Sequence, residues 1–173
     1  MKLDLGCGPK KKEGFIGVDC LPMPGVDTLC DLRVTPWPWA DDSVEQVHCS
    51  HFVEHLTGAE RIAFFNELDR VMKPGATAEI ITPDWSNANA YGDPTHQWPP
   101  MSYWYVAYLD KQWRDKEAPH VPYTCDFMCR YGFTIEDWLR NETEEARKFA
   151  IAHYLGAARE LKVVLTKRAR PLP

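Results

Sequence analysis

This 173-residue sequence predicts an α/β fold built on one mostly parallel sheet of seven strands. Three observations carry the prediction. Short apolar stretches recur along the chain, and several stop at a glycine, an aspartate or a proline. A capped amphipathic segment separates the fourth stretch from the fifth. A glycine-rich turn follows the first stretch. Strands separated by helices or crossovers argue for pairing of the βαβ type.

The elements follow in order. Residues 2–5 (KLDL) form a strand that runs into glycines. Residues 15–18 (FIGV) form a second, ending at Asp19, and residues 27–30 (DTLC) a third, ending at Asp31. Residues 45–49 (EQVHC) form a fourth, and residues 77–82 (TAEIIT) a fifth, stopped by Pro83. Between these two, Thr57 and Glu60 make a capping-box pattern. Ile62, Phe65, Leu68 and Met72 then recur at helical spacing, and Lys73-Pro74-Gly75 supplies a cation, a helix stop and a turn. Residues 84–100 are turn-rich and aromatic, so a long loop is expected there. Residues 101–112 read as a short helix, 125–133 as a sixth strand and 141–155 as a helix with Ala146, Phe149, Ala150, His153 and Tyr154 on one side. Residues 160–168 form a terminal strand with a basic exit. With no linker, repeat or low-complexity segment, residues 1–173 read as one domain, and residues 84–120 as an insertion over the site.

Composition narrows the function classes. A net charge of −5 and a pI near 5.7 give no global pull towards nucleic acid or an anionic membrane. No apolar run is long enough to span a bilayer, and Lys2-Leu3-Asp4-Leu5 after Met1 is too short and polar for a signal peptide. A cytoplasmic location with reduced thiols is the expectation for Cys7, Cys20, Cys30, Cys49, Cys125 and Cys129, which include no C-x-x-C pair. Cys125 and Cys129 have three residues between them and no second pair, a poor pattern for zinc.

The candidate site begins at LDLGCGP (residues 3–9). A glycine turn after the first parallel strand lets a ligand approach the backbone, beyond the carboxyl ends of the strands. Asp19 and Asp31 end the next two strands, where carboxylates can accept hydrogen bonds from ribose hydroxyls and an adenine amino group, and Asp4 precedes the turn. Such a ring of acids suits a cationic, nucleoside-bearing ligand. Solvated strand caps and turn-forming glycines are the plainer reading of each residue taken singly.

The ordered set resembles the class I S-adenosylmethionine-dependent methyltransferases, particularly the small type 11 domains. LDLGCG looks like their first motif, GFIGVD like their second-strand motif and CDL (residues 30–32) like their adenine-side motif. RVMKPGATAEIITPD (residues 70–84) is similar to their K-P-G segment and fifth strand. The resemblance covers about the first half of the chain. It implies a Rossmann-like sheet with an antiparallel C-terminal strand. It also implies S-adenosylmethionine held by Asp4, Gly6, Cys7, Gly8, Asp19, Cys20, Asp31, Leu32, Ser50 and His51. Two departures accompany it. Only about ten residues separate Gly8 from Asp19, so the first crossover is shortened, with Lys10, Lys11 and Lys12 solvated. A compressed first crossover also occurs in some type 11 domains. The sequence opens on the first strand, so no N-terminal cover helix is expected, and the loop after Pro83 or a second copy of the chain would cover the cofactor.

SHFVEHL (residues 50–56) contains H-x-x-E-H, the inverted zinc-peptidase pattern. That chemistry needs a long helix and a further downstream ligand, and Thr57-Gly58 interrupts any helix here. The segment instead fits the family's V-L-E-H-L-like stretch, with Glu54 and His55 in helix-start and packing roles and no metal. His51 is the first candidate for a general base and His96 the second, because histidine suits proton transfer near neutral pH. Asp93, His96, Trp98, Tyr103 and Trp104 are read as an aromatic and polar lid; packing is the plainer reading of the aromatics. His48, inside a strand, reads as a sheet histidine. The implied reaction is methyl transfer to a small polar acceptor, for which a sugar-linked molecule is one option. A binding module without turnover and a zinc hydrolase are the rival readings. Nucleic acid is disfavoured as acceptor, since no N-P-P-Y-like segment follows the fourth strand.

Overall fold

Leu3 and Leu5 alternate with Lys2 and Asp4, and that period of two sets the first strand, β1 (Lys2–Leu5). The computed structural model describes residues 1–169. The other strands are β2 (Ile16–Asp19), β3 (Thr28–Leu29), β4 (Val44–Ser50), β5 (Met72–Pro83), β6 (Phe127–Ile135) and β7 (Ala158–Lys167), of which β4 and β7 show the same alternation. One sheet results, in the order β3-β2-β1-β4-β5-β7-β6. β7 pairs antiparallel with both β5 and β6, and the remaining pairings are parallel. The expected mostly parallel seven-stranded sheet with its reversed C-terminal strand is therefore present.

The two faces of the sheet differ. Leu3, Leu5, Val47, Cys49, Ala78, Ile80, Leu161, Val163 and Leu165 form a dry face. Across it lies α1 (Gly58–Val71), which contributes Phe64, Phe65, Leu68 and Val71 to the same core. Helix α1 starts where the sequence predicts: the Thr57 side chain accepts from the Glu60 amide, and the Glu60 carboxylate accepts from the Thr57 amide. Its end differs slightly. Met72 already pairs with Val44, and Lys73-Pro74-Gly75 forms an irregularity inside β5 before pairing resumes at Thr77.

The other face carries a registered row of Asp4, His48, Glu79, Val164 and Arg130. Of these only Asp4 is buried. Parallel sheets ordinarily have both faces covered and read as continuous apolar runs; here the strands alternate because one face stays partly wet. The helical crossovers implied by βαβ reading are correspondingly few. Residues 6–15, 20–27 and 30–43 connect the first four strands without an α-helix. Glycine permits the first two connections to pack together: a Cβ on Gly25 would lie 2.9 Å from the Gly8 carbonyl oxygen. The third connection is pinned to α1. Glu67 accepts from the Trp37 amide at 2.6 Å and from Arg70, while Trp37 packs edge-on against Phe64 with ring centroids 5.3 Å apart.

The segment after β5 is more structured than a loop. It contains α2 (Asn89–Gly92), α3 (Tyr103–Ala107) and α4 (Lys111–Glu117), in place of one helix over 101–112. Met101, Val106 and Leu109 join the main core, so this segment is part of the domain's packing. Helix α5 (Glu144–His153) is shorter than 141–155, because Thr143 caps its start by accepting from the Ala146 amide. Its buried residue is Ala150, packed with Leu139 and Ala157, whereas Phe149 stays exposed. No helix among the described residues is long and apolar enough to cross a membrane.

Candidate functional site

Strand direction gathers the site. β1, β2, β3 and β4 run parallel, so Gly6, Asp19, Cys30 with Asp31, and His51 all emerge at their carboxyl ends. The order of strands reverses between β1 and β4, and in open α/β sheets ligands bind in the crevice at such a switch point. A cleft of about 380 Å³ lies there. Its lining includes Gly6, Asp19, Cys20, Asp31, Leu32 and His51, six of the sequence-predicted residues, together with Phe52 and His55. That volume falls within the range of small-molecule sites.

The glycine turn is shaped by its neighbours. Gly6 has φ +66°, and a Cβ there would lie 2.6 Å from the Phe52 ring. The Gly6 and Cys7 amides donate to the Val18 carbonyl at 2.9 and 3.1 Å. Asp19 closes the turn: Oδ2 accepts from the Gly8 amide at 3.0 Å and Oδ1 from the Leu21 amide at 3.2 Å. Each oxygen keeps a lone pair for a hydroxyl in the cleft. Asp31 is engaged differently. Arg33 forms a two-pronged ion pair with it, Nε to Oδ1 at 2.9 Å and Nη2 to Oδ2 at 2.8 Å. That guanidinium holds the Asp31 carboxyl below its ordinary range.

Four predicted residues lie outside the lining of this cleft. Asp4 is buried beneath the turn, where Oδ2 accepts from the Lys12 amide at 2.6 Å and Oδ1 meets His48 Nδ1 at 2.7 Å. It thereby anchors the shortened crossover. Lys11 and Lys12 pair with Asp27 and Glu79 at half-exposed sites. The Cys7 thiol turns towards the Gly25 carbonyl, and burial, with Asp4 and Asp19 nearby, pushes its pKa up to about 11. Gly8 sits in the turn, and Ser50 pairs with Ile81 in the sheet.

The H-x-x-E-H segment is not one helix. Val53–His55 is a single 3-10 turn, Leu56 is extended, and α1 begins only after Thr57. His51 lies before the turn at φ +54°, an uncommon conformation for a residue with a Cβ. Its Nδ1 meets Glu54 Oε1 at 3.2 Å and its Nε2 meets Glu160 Oε1 at 3.1 Å. The bond to Glu54, offset in part by burial, raises the His51 pKa, and Glu160 adds to the rise. The two histidines therefore do not share a helix as in an inverted zinc peptidase. Glu160 stands 109 positions away on β7, and no sequence signal pairs it with His51.

A second cleft, of about 570 Å³, opens beyond β5 and is lined by His51, Pro83, Asn89, Gly92, Asp93, Pro94 and His96. His51 is common to both clefts. Arg61, fully buried on α1, ties this region together. It donates to the carbonyls of Val53, Gln97 and Pro99, while the Gln97 amide donates to the Glu54 carbonyl at 2.8 Å. A buried guanidinium with several carbonyl partners is well satisfied and costly to remove. The expected lid is divided: Asp93 and His96 line this cleft, Trp98 is exposed against Tyr91, and Tyr103 and Trp104 line a separate groove with Tyr131.

A family model described as a methyltransferase domain matches residues 21–80. No curated protein sequence matches the chain significantly. Similar solved structures include a SAM-dependent methyltransferase from Archaeoglobus fulgidus, with TM-score 0.69, 20% identity, and coverage of 96% of this chain and 85% of that one. A SAM-dependent methyltransferase from Methanosarcina mazei has TM-score 0.60 and 14% identity, over 98% of this chain and 92% of that one. Geranyl diphosphate C-methyltransferase from Streptomyces coelicolor A3(2), in complex with Mg²⁺, geranyl-S-thiolodiphosphate and S-adenosyl-L-homocysteine, has TM-score 0.59 and 15% identity, over 96% and 69%. The chain has the class I methyltransferase fold.

Proposed function

We propose that this chain, with its class I methyltransferase fold, binds S-adenosylmethionine and transfers its methyl group to a small polar acceptor. The carrying observation is the convergence of Gly6, Asp19, Asp31 and His51 on one cleft at the strand switch point. In this reading Asp19 accepts from the ribose hydroxyls. Asp31 and Leu32 face the adenine, with Arg33 swinging from its half-exposed position to release Asp31. Gly6 gives the backbone approach that the amino-acid end of the cofactor needs. Ser50 and His51 lie at the reacting end, and residues 84–120 act as the acceptor-side lid.

The chemistry is an in-line displacement. The acceptor's lone pair forms a bond to the methyl carbon, the carbon–sulfur bond breaks, and its electron pair stays on sulfur, giving S-adenosylhomocysteine. A hydroxyl acceptor also gives up its proton, for which His51 and His96, lining the second cleft, are the nearest candidates. The protein's contribution is position and a sheltered site. The polar lining of Asn89, Asp93 and His96 favours an acceptor with hydroxyl groups, such as a sugar-linked molecule.

Calorimetric titration with S-adenosylmethionine and S-adenosylhomocysteine, beside Asp19→Ala, tests the reading. Binding is expected for the wild type and should weaken at least tenfold in the variant. Absence of binding by the wild type would sink the proposal. Binding with no transfer across a broad acceptor screen would replace it with a cofactor-binding module that has no turnover.

A further inference from the structure

We propose that Glu54, His55 and His96 form a divalent-cation site between the two clefts. One ligand atom from each lies within 4.8 Å of the others, and the rings of His55 and His96 stand 4.8 Å apart, edge to face. The surrounding hydrogen bonds prepare all three donors.

Thr95 Oγ1 gives its proton to Asp93 Oδ1 at 2.7 Å, so towards His55 Nδ1, 2.8 Å away, it acts as an acceptor. His55 therefore carries its proton on Nδ1 and leaves the Nε2 lone pair free. His96 Nδ1 faces the Ala90 carbonyl at 3.3 Å, which can only accept, so its Nε2 is free as well. A carbonyl or hydroxyl behind each imidazole is the arrangement that orients histidine ligands towards metals. Glu54 supplies the charge. His51 engages its Oε1, while Oε2 is buried and has no partner among the described residues. A buried carboxylate oxygen without a donor is expensive, and a cation would satisfy it.

Two imidazoles and one carboxylate suit a first-row divalent ion such as Zn²⁺, with a further position open to water or an acceptor oxygen. Metal–ligand bonds of about 2.0–2.2 Å require the three groups to draw together by roughly an ångström. His55 and His96 are only half-buried and can make that movement. The two segments are already tied by the Gln97–Glu54 backbone bond and by Arg61. This site uses His55 and Glu54 of the H-x-x-E-H segment but not His51, so it differs from the peptidase geometry; with His96 on the cation, His51 is the remaining candidate base. The binding claim stands apart from the methyltransferase reading; a place for the ion beside a methyl acceptor rests on it.

The test is Zn²⁺ titration of the full chain after chelator treatment, with metal content measured on the purified protein. One ion per chain is expected. Glu54→Gln, His55→Ala and His96→Ala should each weaken binding at least tenfold, and Thr95→Val, which removes the acceptor behind His55 together with the hydroxyl's bond to Asp93, by roughly tenfold. His120→Ala, at an exposed histidine elsewhere, should bind as the wild type does. Circular dichroism confirms that each variant is folded, and the conservative His96→Gln stands in if His96→Ala is not. Equal binding by wild type and site variants, or no binding by the wild type, would overturn the site. S-adenosylhomocysteine titration of His96→Ala separates the two readings: retained cofactor binding with lost Zn²⁺ is the expected pair.

Discussion

Gly6 shows how much a single position can carry. Its positive φ and the Phe52 ring over its α-carbon leave no room for a side chain. Gly6→Ala is expected to cost about 1–2 kcal/mol through the left-handed backbone alone, with the Phe52 clash added. Thermal melts measure the loss, and a Gly6→Ala/Phe52→Ala pair should be less destabilised than the sum of the single changes. Wild-type stability in Gly6→Ala would refute the close approach. Asp19 was legible in the sequence because it ends a strand, and strand ends face the cleft. Asp4 was legible as a site residue only by its neighbourhood, and its side chain instead caps the Lys12 amide and meets His48. Phe52 and Glu160 carry no readable signal, because their partners are set by packing and not by spacing.

At the scale of elements, side chains replace helices that the crossovers lack. Glu67 on α1 holds the connection 30–43 through the Trp37 amide and through Arg70, which also reaches Asp41. Arg70, aided by the Trp37 amide, keeps the Glu67 carboxyl below its ordinary value of 4.5. A group with a lowered pKa in the folded state stabilises it fully above the unfolded value, and that stability is lost as pH falls through the folded one. Acidification below about pH 4.5 should therefore weaken the fold, and Glu67→Gln should flatten this part of the pH–stability curve. Denaturant titrations from pH 3 to 7 measure it, and parallel curves for the two proteins would remove Glu67 from the account. Helix α1 was readable because capping box and helical spacing are both local. The sequence does not separate α3 from α4, because the break at Tyr108–Asp110 carries neither glycine nor proline.

For the whole molecule, one apolar cluster joins the dry face of the sheet, α1 and the segment after β5. Shared burial of this kind couples the lid to the core, so unfolding should be a single cooperative transition. Far-ultraviolet circular dichroism and tryptophan fluorescence are expected to coincide, since Trp37 lies in the core and Trp98 in the lid. Separate midpoints would mean that the lid unfolds independently. Chain order by itself determined the strand succession, the glycine turn, the acids at strand ends and the capped helix, because each depends on neighbours within a few residues. Tertiary structure alone decided that one sheet face stays half-exposed, that His51 sits between Glu54 and Glu160, and that His96 reaches Glu54 and His55. The His51–Glu54 contact is local, but the others span roughly 40 to 109 positions, and only the parallel sheet, with Arg61 binding turn to lid, brings such distant residues to one end of the molecule.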